Sequence, residues 1–362
     1  MRIVIMGASG NLGTALLDRI RRDRTDVDVV AVARRIPAAE PPYDTSQWVA
    51  VDVTAENTAG RLAGVFRGAD AVVNLVWGFQ PARDPERLAA VGVGGLTAVL
   101  AAAREAAVPH LVHVSSVGAY RAGPTGPAGK ERVDESWPTD GIATSVYSRQ
   151  KAAAERLLDR AELEQTGRDP VITRLRPGLV LQRAAGSSLL RYGAPALLPS
   201  WAPALLPVLP VGRSLNVPVV HADDVAAALL AAVDRRAAGP FNLASDPPIT
   251  GVDIADRLRA WSVDLPPWAI GRAARLAFAA RVSRIDAGWI DLAYAVPLLD
   301  TTRARELLGW EPGYGSLDAL DETVAGVRAA DATGSPVLRR RTVLNQLTDR
   351  LADGPITRRR VS

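Results

Sequence analysis

The sequence predicts an α/β protein with a doubly wound parallel sheet and a smaller, mostly helical C-terminal lobe. Two observations carry this prediction. A short apolar run, Arg2–Met6, leads directly into a glycine-rich turn and then into an amphipathic stretch over Leu12–Arg22. Strand-like and helical runs then alternate, which places helices on both faces of a parallel sheet. The strand-like runs are Val27–Val32, Trp48–Val53, Ala71–Leu75, His110–Ser115 and Val171–Leu175, and the helical runs are 58–67, 86–107 and 144–165.

The composition is that of a soluble globular enzyme of 362 residues, of which 48% are hydrophobic and 23% are charged. The absence of cysteine excludes thiol and disulfide chemistry. The formal net charge of +4 comes from the C-terminal end, where seven arginines and two aspartates lie within residues 336–362. The rest of the chain is close to neutral, which argues against a nucleic-acid partner. Because the sequence opens on a strand and shows no secretory or transit signal, we expect a cytoplasmic protein.

The turn Gly7–Gly13 predicts a binding site for the diphosphate of a dinucleotide. Gly7 allows a tight turn out of the strand, Gly10 lets the backbone approach a pyrophosphate, and Gly13 lets the following helix lie close to the sheet. The N–H groups that open this helix would hold the phosphates. An ordinary glycine-rich turn is the alternative in a chain with 30 glycines, but the position directly after the first strand favours a cofactor. We therefore expect cofactor contacts from Gly7, Ser9, Gly10, Asn11, Leu12 and Gly13.

Tyr147 and Lys151 are four residues apart in a predicted helix and so lie on one face of it. A free phenol has a pKa of about 10, and a nearby ammonium lowers that pKa towards the range in which the phenol can act as a base. Lys130 and Lys151 are the only lysines among 43 Lys and Arg residues, so a lysine at this spacing is informative. Ser116 follows the run His110–Ser115, where its hydroxyl can donate to a substrate oxygen. A surface tyrosine–lysine pair and a loop-capping serine are the alternatives. We take Ser116, Tyr147 and Lys151 as the predicted catalytic trio.

Together these motifs resemble the extended short-chain dehydrogenase/reductases, the NAD-dependent epimerase/dehydratase family. The resemblance covers about residues 1–328 and rests on Gly7–Gly13, Asp52-Val53, Ser116, Tyr147–Lys151, Arg176-Pro177-Gly178, His221–Ala226 and Leu308-Gly309-Trp310. It implies a Rossmann fold that binds NAD or NADP, with Tyr147 as acid and base, Lys151 on the nicotinamide ribose and Ser116 orienting the reacting oxygen. It also implies that Asp52 and Val53 meet the adenine, and that further cofactor contacts come from Leu75, Val76, Trp77, Pro177 and Gly178.

The chain departs from the family's pattern at three places. Gly92 stands where family members often carry an asparagine that supports the catalytic lysine through water, which weakens the expectation of a proton relay there. Leu179 stands where sugar-nucleotide enzymes of the family commonly place an asparagine for the diphosphate. Asn74–Trp77 replaces the His-Leu-Ala-Ala sequence that more usually lines the nicotinamide side.

The residues after the second strand predict the choice of cofactor. An enzyme selective for NAD usually carries an acid about 20 residues beyond the glycines, where it accepts a hydrogen bond from the ribose 2′-OH. Here Arg34 and Arg35 follow that strand, and no acid stands between Asp28 and Glu40. Two guanidinium groups suit a 2′-phosphate, so NADP is expected over NAD.

The chain is expected to divide into three parts. Residues 1–176 form a Rossmann domain, to which residues 215–238 return. Residues 177–214 and 239–330 form a substrate lobe, and residues 331–362 form a basic, loosely held tail. The return rests on a strand-like run at Val217–Val220 and a helical pattern after Asp223. Within the lobe, Leu189–Val211 is apolar but carries five prolines, which break a helix. This segment is predicted to be a loop-rich wall of the substrate site rather than a membrane span.

Three functions are left open by the sequence. The leading one is an oxidoreductase that moves a hydride between nicotinamide and a secondary alcohol or ketone, with a small, fairly apolar substrate suggested by Leu189–Val211 and Leu179. The second is a sugar-nucleotide epimerase or dehydratase, in which Arg183, Arg191 and Arg213 would bind the diphosphate. The third is a non-catalytic NADP-sensing protein, against which the complete catalytic trio argues.

A small molecule is the expected partner, with neither nucleic acid nor a membrane span. The oligomeric state is open, with a homodimer as the arrangement considered. No metal site is expected, because His110 and His113 face opposite sides of a strand. His221 stands beside Asp223 and Asp224, which are expected to start the following helix, where negative charge suits the helix dipole.

Overall fold

The computed structural model describes residues 1–78, 84–126, 129–167, 169–186, 208–212, 214–280 and 286–339. Its strands, in chain order, are β1 Arg2–Met6, β2 Asp28–Ala33, β3 Gln47–Ala50, β4 Ala71–Asn74, β5 His110–Val114, β6 Thr125–Gly126, β7 Gly129–Lys130, β8 Arg132–Val133, β9 Val171–Pro177, β10 Leu179–Leu181, β11 Val208–Pro210, β12 Asn216–His221, β13 Gly239–Leu243, β14 Ser245–Thr250, β15 Trp261–Val263 and β16 Leu298–Leu299. Its helices are α1 Asn11–Asp23, α2 Thr58–Phe66, α3 Pro85–Glu105, α4 Val146–Leu163, α5 Ala222–Arg235, α6 Gly251–Leu258, α7 Pro267–Ala279, α8 Ala287–Ala295, α9 Thr302–Leu308 and α10 Ser316–Ala329.

Seven parallel strands form the central sheet, in the order β13-β9-β5-β4-β1-β2-β3. Val4 of β1 lies opposite Val30 of β2 on one side and Val72 of β4 on the other. The chain therefore winds outward in both directions from β1, and the crevice at the carboxyl ends of β1 and β4 is the place where such sheets bind ligands. The predicted α/β class and doubly wound parallel sheet are confirmed.

Alternate residues of each strand build the two layers on either side of the sheet, because successive side chains point to opposite faces. Ile3 and Ile5 pack in one buried cluster with α1 and α5. Val4 and Met6 pack in a second cluster with α2, α3 and α4. Strands buried on both faces read as continuous apolar runs, which explains why Arg2–Met6 shows no polar alternation.

The seventh strand of the central sheet differs from the sequence prediction. The run Val217–Val220 was expected to return to this sheet, but it lies in β12, which pairs with β10 and β14 in a separate three-stranded sheet. The returning strand is β13, which pairs with β9. An apolar run does not specify its partner strand, and both segments are short and apolar. The helix after Asp223 does pack on the Rossmann layers through Val225 and Leu229. The proposed domain limits themselves stay a prediction.

The described part of the predicted tail, up to Arg339, is packed rather than loosely held. Ser335 and Leu338 are buried, and the Ser335 hydroxyl donates to the carbonyl of Ser9 in the glycine-rich turn. Thr333 is hydrogen-bonded to the buried Tyr43, whose hydroxyl also bonds Thr14 of α1 at 3.0 Å. This segment therefore lies against the turn. Residues 340–362, which include most of the basic tail, lie outside the described residues.

Within the part of the chain that the structure describes, one helix is long and apolar enough by composition to cross a membrane, namely α3. Leu96, Val99 and Leu100 of this helix are buried in the cluster shared with α2 and α4. That packing is the packing of a core helix. Most of the predicted wall Leu189–Val211 lies outside the described residues.

Candidate active site

The glycine-rich turn connects β1 to α1 with the geometry that its sequence predicts. Gly7 has a φ of +79°, in the left-handed region that favours glycine, and its N–H donates to Val32 at 2.8 Å. A Cβ at Gly13 would lie 2.4 Å from the carbonyl oxygen of Ala8, so a side chain there would push α1 away from the turn. Gly10 precedes α1 with an extended backbone, and no side chain caps the helix at that point. Uncapped N–H groups at a helix start are an anion site, so the turn fits a diphosphate.

Two long-range contacts hold this turn in shape. The side-chain amide of Gln182 donates to the carbonyl and side-chain oxygens of Asn11, at 2.9 and 2.6 Å. Ser335 donates to Ser9, as described above. Neither contact was predicted, because the partner residues are far away in the sequence and carry no local signal. Leu12 packs against the core on the α1 side of the sheet.

The predicted adenine end lies beyond β2 and β3. Arg34 and Arg35 are half-buried at the end of β2. The Asp52 carboxylate accepts hydrogen bonds from the N–H and the hydroxyl of Thr54, at 2.9 and 2.7 Å. Although burial acts to raise the pKa of Asp52, these hydrogen bonds and the charge of Arg34 lower it. Val53 packs on α3, where a Cβ at Gly95 would lie 3.1 Å from a Val53 methyl carbon.

The end of β4 joins the glycine-rich turn to the catalytic trio. A Cβ at Gly7 would lie 3.1 Å from the backbone of both Leu75 and Val76, so the turn and the end of β4 are in close contact. The next residue, Trp77, packs edge-on against the Tyr147 ring, with the ring centroids 6.5 Å apart. The structure therefore brings Gly7 and the end of β4, which were predicted as cofactor contacts, beside Tyr147 of the predicted trio.

Ser116 and Tyr147 lie close together, since a Cβ at Gly118 would contact both the Ser116 hydroxyl oxygen, at 3.4 Å, and the Tyr147 ring. The Ser116 hydroxyl also accepts from the N–H of Gly118 at 3.0 Å, and a Cβ at Gly118 would lie 2.9 Å from the Tyr147 ring. Burial raises the pKa of Tyr147 to about 12, although the Ser116 side chain acts in the opposite direction. Two hydroxyls this close can both reach one ligand oxygen, which is the arrangement that the predicted proton transfer requires.

Lys151 is buried between a carbonyl and an indole. Its ammonium donates to the carbonyl of Val114 at 3.0 Å and lies 3.6 Å from the centroid of the Trp77 ring. Burial lowers the pKa of Lys151 to about 7, while the charge of Glu155 acts to raise it. Burial is the main influence on the pKa of Tyr147, and the Lys151 ammonium faces Val114 and Trp77 and lies 6.0 Å from the centroid of the Tyr147 ring. The predicted lowering of the Tyr147 pKa by Lys151 stays a prediction.

Aromatic side chains surround the Tyr147 phenol. Trp289 of α8 lies beside it with the centroids 5.1 Å apart and the rings 31° from parallel, and Trp137 packs in the same cluster. The indole N–H groups of Trp77 and Trp137 are buried and have no hydrogen-bond partner among the described residues. A buried donor without a partner is costly, so these two N–H groups suit a ligand that brings oxygen acceptors.

A buried ion cluster fixes α4 to the sheet behind the trio. Glu155, one turn beyond Lys151, is fully buried and pairs with Arg174 and Arg176 of β9. Arg176 also donates to the hydroxyl of Tyr120 at 2.8 Å. The sequence prediction missed this cluster, although the spacing of Tyr147, Lys151 and Glu155 at four-residue intervals on one helix face was visible.

The end of β9 carries the last predicted cofactor residues. Pro177 is the final residue of β9, and the N–H of Gly178 donates to Leu243 at 2.9 Å. A Cβ at Gly178 would lie 2.4 Å from the carbonyl oxygen of Pro218, so glycine is needed for the close approach of β12. Leu179 is 45% exposed.

The side chains considered for other ligands are already engaged where they are described. Arg183 pairs with Asp331 at 2.6 Å, whereas Arg191 and Arg213 lie outside the described residues. The described residues contain no group of three potential metal ligands. His110 bonds Thr173 and His113 bonds Asn74.

The comparisons with known proteins decide the family. A model of the NAD dependent epimerase/dehydratase family matches residues 3–244. The chain belongs to this family. The resemblance predicted from the motifs is therefore confirmed, and this epimerase/dehydratase family member can be compared with solved structures.

Three solved structures share its fold over nearly the whole chain. UDP-glucose-4-epimerase from Stenotrophomonas maltophila, with bound NAD and formylated UDP-arabinopyranose, has a TM-score of 0.66 at 20% identity and covers 91% of this chain and 98% of that one. The Thermus thermophilus UDP-glucose 4-epimerase complex with NAD has a TM-score of 0.65 at 18% identity and covers 91% of this chain and 100% of that one. UDP-N-acetylglucosamine 4-epimerase from Methanobrevibacter ruminantium, in complex with UDP-N-acetylmuramic acid, has a TM-score of 0.63 at 16% identity and covers 90% of this chain and 97% of that one. At these identities the likeness shows the fold.

A curated relative from Mycobacterium tuberculosis, an uncharacterized protein, is 24% identical over 337 residues. The match covers 92% of this family member and 31% of the relative. The chain thus spans about a third of the length of the curated relatives it matches.

Proposed function

We propose that this protein is a nicotinamide-dependent enzyme that epimerises a sugar nucleotide without net oxidation or reduction. The observation that carries the proposal is the closed environment of Lys151. Its described contacts are a carbonyl oxygen and an indole face, and neither of these can carry a proton. A net reductase must replace the Tyr147 proton from solvent in every turnover. An epimerase returns the same proton to the same substrate, which suits a closed site.

The substrate class is supported by two further points. The three solved structures with the same fold are named as sugar-nucleotide epimerases. The unpartnered indole N–H groups of Trp77 and Trp137 suit a hydroxylated ligand better than an apolar one. The sequence-based preference for a small, apolar substrate rested on Leu179, which is 45% exposed, and on Leu189–Val211, most of which lies outside the described residues.

The glycine cradle fits a nicotinamide dinucleotide, and its nicotinamide ring, when bound, supplies the acceptor and donor of a hydride. The turn Gly7–Gly13 would hold the diphosphate through the N–H groups at the start of α1. The other proposed cofactor contacts are Arg34, Arg35, Asp52, Val53, Leu75, Val76, Trp77, Tyr147, Lys151, Pro177 and Gly178. Both NAD and NADP are compatible with this set, and the preference for NADP rests on Arg34 and Arg35 alone.

The catalytic trio would act on one hydroxyl of the sugar. Tyr147 takes the hydroxyl proton as the carbon is oxidised, and Ser116 orients the oxygen through its hydroxyl. The positive charge of Lys151 stabilises the phenolate that forms. Tyr147 then returns the proton when the resulting ketone is reduced on its other face, so the carbon is inverted and no proton is exchanged with solvent.

The experiment that tests the proposal combines product analysis with isotope exchange. The purified protein is incubated with a set of UDP-sugars in deuterium oxide, and products are followed by NMR while the nicotinamide redox state is followed by absorbance. We expect a 4-epimer to accumulate with no net change in reduced nicotinamide and no deuterium on the inverted carbon. Stoichiometric consumption of reduced cofactor with a ketone would show a net reductase. Cofactor binding without turnover of any substrate tested would favour the sensing function.

A further inference from the structure

The described contacts of the Lys151 ammonium are unusual for a buried cation. The residue is 2% exposed, and its ammonium has the Val114 carbonyl at 3.0 Å and the face of the Trp77 ring at 3.6 Å. No carboxylate lies within ion-pair distance of it in the part of the chain that the structure describes. A cation over an aromatic face is attracted by the negative potential of the ring, and tryptophan gives the strongest attraction of the three common rings.

The Trp77 ring occupies this position because a glycine leaves room for it. Gly92 lies in the stretch Ala90–Gly94, where α3 widens into one π-helical turn. A Cβ at Gly92 would lie 3.1 to 3.2 Å from three carbon atoms of the indole, closer than packed atoms normally sit. His113 of β5 contacts the ring edge-on from another side, with centroids 6.2 Å apart. The indole is therefore held from α3, β5 and α4.

We propose that Trp77 is a positioning residue for Lys151: its indole face holds the buried ammonium against the Val114 carbonyl, and Gly92 supplies the space that the ring occupies. The inference rests on the proposed function, since it assigns Trp77 a part in that reaction. Gly92 and Trp77 each differ from the family's usual residue at their positions. On this proposal the two differences belong together, because the small residue makes room for the large one.

The charges around the lysine agree with this role. Burial lowers the pKa of Lys151, and the titratable groups that face it are Tyr147 and Glu155 from α4 and His113 from β5. Burial also lowers the pKa of His113 to about 3, so this side chain is neutral at pH 7. The Glu155 carboxylate forms ion pairs with Arg174 and Arg176 of β9, and these two arginines compensate most of its negative charge. The Val114 carbonyl and the Trp77 ring face are thus the described groups in direct contact with the charged lysine.

The test measures the charge state of the lysine directly in the full chain. The chain holds two lysines, so carbon-13 labelling of lysine side chains gives two NMR signals, and the second lysine serves as an internal control. That control, Lys130, donates to the carbonyls of Asn216 and Val296. We expect Trp77→Leu to lower the Lys151 pKa by about one unit, because the ring face is lost while the site stays apolar. Trp77→Phe should lower it less, and Lys130 should not change. A Lys151 pKa in the Leu variant equal to or above that of the wild type would overturn the proposal.

A second measurement covers the case in which the Leu variant does not fold. Biosynthetic replacement of the eight tryptophans by fluorotryptophan keeps the shape of each indole and weakens the negative potential of its face. The Lys151 pKa should then fall while that of Lys130 stays constant. An unchanged Lys151 pKa would show that the indole only fills space. In the enzyme assay, the pH profile of kcat should shift with the NMR pKa in Trp77→Phe.

These NMR readouts require no turnover, so the two proposals fail separately. An absence of epimerase activity together with a fall in the Lys151 pKa would overturn the proposed function and leave the role of Trp77 standing. Epimerase activity of the wild type together with an unchanged Lys151 pKa in the variants would support the proposed function and overturn the role of Trp77.

Discussion

Arg176 donates two hydrogen bonds to the Glu155 carboxylate, from Nε at 2.9 Å and from Nη2 at 2.8 Å. Glu155 is fully buried and Arg176 is 4% exposed, so this bidentate pair is shielded from water and salt. Because Glu155 lies one turn beyond Lys151 on α4, the pair fixes the height and rotation of the helix that carries Lys151 and Tyr147.

We therefore expect Glu155→Gln to destabilise the protein by roughly 3–5 kcal/mol, since Arg176 would stay buried without its counter-charge. Urea unfolding followed by circular dichroism measures this loss. The matched control is Asp140→Asn, which removes the same charge from an exposed pair with Arg121 and should leave the midpoint unchanged. A midpoint for Glu155→Gln equal to that of the control would contradict the structural role.

The same pair predicts a dependence of stability on pH. Burial acts to raise the pKa of Glu155, but Arg176 and Arg174 lower it from 4.5 to about 2. A carboxylate with a lowered pKa in the folded state stabilises above its ordinary pKa, and this stabilisation is lost as the pH falls towards the folded value. The free energy of unfolding should fall more steeply between pH 4.5 and 2 in the wild type than in Glu155→Gln. If the free energy of unfolding depended on pH in the same way in both proteins, the lowered pKa of Glu155 would be contradicted.

Tyr147→Phe should abolish turnover while leaving cofactor affinity within a few-fold. The phenol lies close to the Ser116 hydroxyl and is the proposed group that moves the substrate proton, and loss of a positioned acid or base typically costs about 10²–10⁴ in rate. Steady-state kinetics and cofactor titration measure the two effects. Tyr314→Phe, which alters a tyrosine stacked on His221, is the matched control and should keep full activity. Near-normal activity of the Tyr147 variant would remove this residue from the mechanism.

Lys151→Arg should keep the fold but lose most of the activity. The ammonium lies between the Val114 carbonyl and the Trp77 ring face, and a planar guanidinium is too broad for the same position. Lys130→Arg makes the same chemical change at the other lysine of the chain and should have little effect on kcat. The comparison of pH–rate profiles decides the point: a Lys151→Arg enzyme with the wild-type rate and profile would rule out a specific need for lysine.

The choice between NADP and NAD can be decided by titration of both cofactors. If Arg34 and Arg35 contact a 2′-phosphate, the wild type should prefer NADP by about ten-fold or more, and the double variant Arg34→Ala/Arg35→Ala should lose that preference. A control of equal charge is Arg61→Ala/Arg67→Ala, which removes two exposed arginines from α2 and the residue after it. Equal affinity of the wild type for the two cofactors would show that the two arginines do not select between them.

The sequence predicted the parts of the fold that depend on local pattern. The alternating runs marked the first five strands and β9 of the central sheet, and the glycines marked the turn into α1, because period and glycine spacing are local properties. The partner of Val217–Val220 was predicted wrongly, since pairing depends on which strand edge is free in the folded chain. Gly178, whose missing Cβ admits Pro218, is the position that brings β12 beside β10.

That Tyr147 and Lys151 share one helix face beside Ser116 was also predictable, because residues four apart in a helix lie on the same side of it. Their catalytic role stays a prediction. The surroundings of the trio were not predictable. Trp289 reaches Tyr147 from α8, and Gln182 reaches Asn11 from beyond β10, through contacts that no local pattern encodes.

The contact between Ser335 and Ser9 joins residues that are 326 positions apart in the chain. The ribosome therefore makes the glycine-rich turn 326 residues before it makes the hydroxyl that donates to it. Until Ser335 has been made and has folded back, the turn lacks this hydrogen bond, so its final shape depends on a segment that is distant in the chain.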